Sequence, residues 1–93
     1  MLQIEKASDQ IVLAGRFDAT QVSAASEVFD ALEETTTVRF DGLEYISSAG
    51  LSVLLHTQKR LSQQGHGLRL AGLNPHVRLV FEYAGLDSVF PIE

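Results

Sequence analysis

The 93-residue sequence predicts one α/β domain: a mixed β-sheet, mostly parallel with an N-terminal hairpin, packed with helices mainly on one face, in the order β-β-α-β-α-β-α-β. Three observations carry that expectation. Short apolar runs bounded by turn residues alternate with longer runs of helical period, the pattern of parallel strands joined by right-handed crossovers. The strands alternate polar with apolar residues, which leaves one sheet face polar; Arg39 between Val38 and Phe40 is the clearest instance. No linker, repeat or low-complexity stretch divides residues 1–93, so they read as a single domain near the lower size limit for a self-sufficient core.

The elements follow in order. Leu2-Gln3-Ile4 alternates, Ile11-Val12-Leu13-Ala14 is a short apolar run, and Ser8-Asp9-Gln10 between them supplies a turn, so the chain opens on a β-hairpin. Val22, Ala25, Phe29 and Leu32 recur at i, i+3, i+7 and i+10, an amphipathic helix of about four turns. Asp18 or Thr20 is suited to cap it by accepting from free N–H groups. A strand over Thr37–Phe40 ends at Asp41-Gly42, and Leu43–Ile46 leads into Ser47-Ser48-Ala49-Gly50. The next helix carries Leu51, Leu54, Leu55, Gln58 and Leu61 on its inner stripe, with Lys59, Arg60 and Gln63 outside. Gly65-His66-Gly67 stops it, because glycine accepts the left-handed conformation at a helix end. Leu68–Leu73 is a strand. Asn74-Pro75 then starts a helix with Val77, Val80, Phe81 and Ala84 inward and Gly85 as its stop. Val89-Phe90 forms a last short strand.

Composition narrows the function. Acidic residues outnumber basic ones by 12 to 7, for a net charge of −5, and no basic stripe with interleaved aromatics is present. Direct contact with nucleic acid is therefore not expected, and a basic partner surface fits better. The absence of cysteine excludes disulfides, thiolate catalysis and thiolate zinc sites. His56, His66 and His76 lie ten residues apart, without the i, i+4 spacing that aims two imidazoles at one metal. Ser48-Ala49-Gly50 is not a nucleophile elbow, because Ile46 stands where that motif needs glycine. No catalytic residue, cofactor or metal is expected, and the chain reads as a non-enzyme. The start Met-Leu-Gln-Ile-Glu-Lys does not resemble a signal peptide, and Leu51–Leu55 is far too short to span a bilayer. A cytoplasmic protein without membrane insertion is expected.

The informative stretch runs from a strand through two serines into a helix. On the residues alone, Ser47 or Ser48 can be an ordinary N-cap worth about 1 kcal/mol. The segment Asp41-Gly42-Leu43-Glu44-Tyr45-Ile46-Ser47-Ser48-Ala49-Gly50-Leu51 also resembles the signature of the STAS family, and of the bacterial anti-sigma-factor antagonists within it. Gly15-Arg16-Phe17-Asp18 resembles the Gly-x-x-Asp that follows that family's second strand, and the element order agrees from Leu2 to Phe90.

Aligned on Gly50-Leu51, Ser48 falls on the family's phospho-acceptor serine. Ser47 occupies the usual aspartate and Ala49 the usual Ser/Thr, so Ser47 is a competing acceptor. The resemblance implies that the unphosphorylated protein binds an anti-sigma factor that is also a serine kinase. Phosphorylation of Ser48 ends the complex, and a cognate phosphatase resets it. The implied partner face comprises Asp18, Ser47, Ser48, Ala49, Ser52, His56 and Lys59. The alternative is a non-switching STAS accessory subunit of a lipid or anion transport complex, in which Ser48 is only part of a helix start.

Overall fold

A computed structural model describes residues 2–93. The chain runs β1 (Leu2–Lys6), β2 (Gln10–Phe17), α1 (Val22–Asp30), β3 (Thr36–Ile46), α2 (Ser48–Ser62), β4 (Leu68–Ala71) and α3 (Pro75–Tyr83). The sheet order is β1-β2-β3-β4. The opening hairpin is antiparallel, with Leu2 opposite Gly15 and Lys6 opposite Ile11, whereas β2–β3 and β3–β4 are parallel.

Alternation along the strands decides which face is covered. In β2, Ile11, Leu13 and Phe17 are buried, while Val12, Ala14 and Arg16 lie on the other side. The buried set joins Ala25 and Phe29 of α1, Leu54 and Leu61 of α2, and Val77 and Phe81 of α3 in one core. Phe81 sits between Phe40 and Phe90, edge-on to both, with ring centroids 5.8 and 5.9 Å away. The opposite face is polar, as the sequence predicts: Arg39 pairs with Asp41 at 2.7 Å, and the Arg16 guanidinium lies 4.4 Å from the centre of the Tyr45 ring.

Local stop and start signals act as expected. Gly65 adopts φ 80°, and the Gly65 and His66 N–H groups donate to Ser62 O (3.2 Å) and Leu61 O (3.0 Å), the bond pair of a Schellman turn. Asn74 caps α3 by accepting from the Val77 N–H at 2.8 Å, and its own side-chain amide donates to Leu43 O. Gly85 takes φ 71° after α3.

Six expectations are corrected. The strand expected over Leu68–Leu73 ends at Ala71, and Ala84, expected inward, is exposed. The strand at Val89-Phe90 does not form, so the order is β-β-α-β-α-β-α. A 3₁₀ turn occupies Leu86–Ser88, Val89 stays exposed, and Phe90 is drawn into the aromatic core. Pairing comes later, as an isolated parallel bridge from Ile92 to Leu70, with the Leu70 N–H donating to Pro91 O and the Glu93 N–H to Leu70 O, both at 2.8 Å. The helix over Val22–Leu32 is shorter than four turns: α1 has nine residues, preceded by a 3₁₀ turn at Ala19–Gln21, and Leu32 is buried beyond its end. Asp41-Gly42 does not end its strand. β3 runs on through it for 11 residues, because Gly42 lets Ala14 approach so closely that any Cβ would lie 2.9 Å from the Ala14 Cβ. Finally, Arg60 is not a solvated side chain. Its guanidinium donates to Leu32 O and Phe29 O, both at 2.9 Å, and so caps the C-terminal end of α1.

Candidate functional site

The parallel register of β2 and β3 brings the site together. Phe17 pairs with Ile46 at the last rung, so the next residues, Asp18 and Ser47, leave the sheet side by side. The Ser47 N–H donates to Phe17 O at 2.9 Å and ties the two exits. The C-terminal ends of parallel strands are where open α/β sheets place their sites.

Asp18 begins the 3₁₀ turn. Its carboxylate accepts from the Thr20 N–H at 2.9 Å and the Thr20 hydroxyl at 2.6 Å, while its own N–H donates to the Gln21 side chain at 2.9 Å. This closes a capping box. The Thr20 hydroxyl and N–H bonds hold the Asp18 carboxyl below its ordinary pKa, with the Arg16 charge adding to them.

Ser47 is the N-cap of α2. Its backbone is extended (φ −88°, ψ 171°), and its hydroxyl accepts from the Gly50 N–H at 3.2 Å. Ser48 is the first helical residue and is exposed. Gly50 sets this posture. A Cβ there would lie 2.9 Å from Ile46 Cγ1 and 3.1 Å from Phe17 Cγ, so the bare glycine lets the first turn settle onto the strand ends. The first turn of α2 itself carries no acidic residue, and Asp18 lies at the neighbouring strand exit.

The remaining residues of the expected face divide into two groups. Ala49, Ser52 and His56 form one wall of a groove of about 440 Å³ between α2 and α1, with Val53 at its base and Val22, Ser26 and Asp30 opposite. His56 also borders a second groove, where Lys59 lies with Leu55, Gln58, Ser62 and Val89. Lys59 therefore faces a different flank from the groove that begins beside Ser48. The α1 wall is absent from the sequence reading, although Val22, Ser26 and Asp30 fall at i, i+4 and i+8, a recognisable stripe.

The arrangement suits binding. The Ser47 hydroxyl faces a backbone N–H and not an imidazole. His66 sits beside Thr35, whose N–H donates to its Nδ1 at 3.3 Å. Among the described residues, no three His, Cys, Asp or Glu side chains gather to hold a metal ion, and no helix is long and apolar enough to cross a membrane.

A protein-family model described as "Mlab, STAS domain" matches residues 1–91. BtrV of Bordetella bronchiseptica, assigned by name to the anti-sigma factor antagonists, is 39% identical over 82 residues, covering 88% of this chain and 70% of its own. Protein TM1081 of Thermotoga maritima, assigned by name to the same class, has a similar structure (TM-score 0.81, 20% identity, 98% of this chain and 84% of the other). So does the anti-sigma factor antagonist SpoIIAA in its unphosphorylated form (TM-score 0.77, 22% identity, 100% and 88%). The phosphorylated form of SpoIIAA, a Bacillus cell fate determinant, matches with a TM-score of 0.72 at 20% identity over 100% and 91% of the two chains.

Proposed function

Because the chain belongs to the STAS family, in its anti-sigma factor antagonist class, we propose that it is a phosphorylation-controlled binding switch that captures an anti-sigma factor and so frees a sigma factor. It is a regulator and not an enzyme. The carrying observation is the division of labour between two adjacent serines: Ser47 spends its hydroxyl on the helix cap, and Ser48 stands exposed on the first helical turn. Ser48 is the acceptor, the anti-sigma factor is the serine kinase, and a cognate phosphatase restores the binding form. The cytoplasm supplies the ATP.

The physics supports a switch that acts on binding more than on folding. A phosphate adds about −1.5 to −2 charges at neutral pH. On Ser48 it meets the free N–H groups and the positive dipole end of α2, so the fold accommodates it. An interface offers no such compensation, since there the phosphate must be desolvated and it repels any partner carboxylate. A loss of about 3 kcal/mol weakens binding more than a hundredfold.

The test is a pull-down with wild type and Ser48→Asp as baits, followed by calorimetry with the captured protein. A serine-kinase anti-sigma factor held by wild type and lost by Ser48→Asp is the expected result. Equal affinities would refute the switch, and transport-complex proteins held equally by both baits would favour the non-switching role. Incubation with the kinase and ATP should modify Ser48, and modification confined to Ser47 would overturn the acceptor assignment.

A further inference from the structure

The groove between α1 and α2 has a floor and a rim of different character. Val22, Ala49 and Val53 supply apolar surface, and Ser26, Ser52, His56 and Asp30 stand around it. It is an open groove of about 440 Å³. The groove is continuous with the switch: Ala49 follows Ser48, and the Ser52 hydroxyl donates to Ser48 O at 3.1 Å.

Asp30 shows what the groove is suited to receive. It is the last residue of α1, where the helix end already carries partial negative charge and a carboxylate is electrostatically misplaced. Arg60 donates to the nearby carbonyls of Phe29 and Leu32, yet the side-chain ion pairs among the described residues are Arg39–Asp41 and Arg69–Glu93. Asp30 therefore has no cationic partner within the described fold. A cation from outside would relieve the mismatch, and a basic partner surface complements a chain of net charge −5.

Resting on the proposed function, we infer that this groove is a second half of the docking surface, taking a segment of the anti-sigma partner that sets an apolar side chain on Val22, Ala49 and Val53 and a lysine or arginine against Asp30. A second copy of the chain fits less well, because it brings further negative charge to the same rim.

Asp30→Lys and Ser26→Trp, each in the full chain, test this by calorimetry against the anti-sigma factor that wild type captures. Asp30→Lys should weaken binding at least tenfold while the thermal midpoint stays close to wild type, since Asp30 forms no ion pair among the described residues and the Arg60 cap on Phe29 O and Leu32 O does not use its side chain. Ser26→Trp should fill the groove and weaken binding by a similar factor. Wild-type affinity in both variants overturns the inference, as does an Asp30→Lys variant that loses stability together with binding. Sedimentation of wild type as a dimer that Asp30→Lys dissociates would assign the groove to a second copy instead. The Ser48→Asp bait keeps the two readings apart. If it alone loses the partner, the groove assignment fails and the switch stands; if it binds as wild type does, the switch fails.

Discussion

Gly50→Ala sets two effects of opposite sign against each other at the base of the switch turn. Alanine is the better helix residue by about 0.8–1 kcal/mol, so propensity alone predicts stabilisation. Packing opposes it. The new Cβ would lie 2.9 Å from Ile46 Cγ1 and 3.1 and 3.2 Å from Cγ and Cδ1 of Phe17. Both neighbours are buried under the start of α2, and the close atoms are branch and ring carbons, not flexible ends that swing into water. Overpacking of this kind costs about 1–3 kcal/mol. The net effect is a loss of about 1 kcal/mol, or a thermal midpoint lower by about 4–8 °C in a domain of this size. The turn should also loosen, because lifting α2 lengthens the bond from the Ser47 N–H to Phe17 O. Thermal denaturation with amide hydrogen exchange reads both changes. A midpoint that stays or rises, with Ser47 protection intact, would show that the helix start is not held by this contact.

Ser47→Ala removes the hydroxyl that accepts from the Gly50 N–H and should cost about 1 kcal/mol. Ser48→Ala should stay within about 0.5 kcal/mol of wild type, and denaturation curves in the reverse order would reassign the cap. The folded-state pKa of Asp18 lies below its unfolded value, so its cap is fully stabilising above about pH 4 and is lost as pH falls through the folded value. Asp18→Asn should therefore flatten the acid limb of the stability curve, and an unchanged limb would contradict the assignment. Arg60→Met keeps the apolar stem but strands the Leu32 carbonyl and leaves the Phe29 carbonyl to the Leu32 N–H, at a cost of about 1.5–3 kcal/mol in urea denaturation. A cost below about 0.5 kcal/mol would mean that water replaces the guanidinium.

What the sequence disclosed tracks the range of the interaction responsible. Asn74-Pro75, Gly65 and Gly85 are local devices, and each acts where its own backbone chemistry requires. Val89-Phe90 misleads because an apolar pair reads alike as a strand or as a core anchor. Only the packing of Phe90 against Phe81 decides, and pairing then falls to Ile92. Asp41-Gly42 looks like a turn, yet glycine inside a strand also marks a close backbone approach, here to Ala14. Arg60 falls on the outer side of its own helical wheel, and its partners come from the end of α1 and the residues just after it, about 30 residues earlier in the chain. The serine turn was legible as a helix start because Ser47, Ser48 and Gly50 fall within four residues. The α1 wall of the groove was not, because Ser26 and Asp30 acquire meaning only once α2 packs beside them.

On the proposed reading, the one-residue offset between Ser47 and Ser48 separates folding from signalling. The opening N–H groups of a helix lack intrahelical acceptors and need something from outside. Ser47 satisfies one of them from the cap position, held by its N–H bond to Phe17 O. A modified cap hydroxyl would have to leave the Gly50 N–H, so charging that serine would disturb the helix start together with any interface. One position later, Ser48 carries no such duty, and its side chain lies on the exposed side of a turn whose other side Gly50 presses onto Phe17 and Ile46. Charge placed there leaves the cap intact and remains close to the helix dipole.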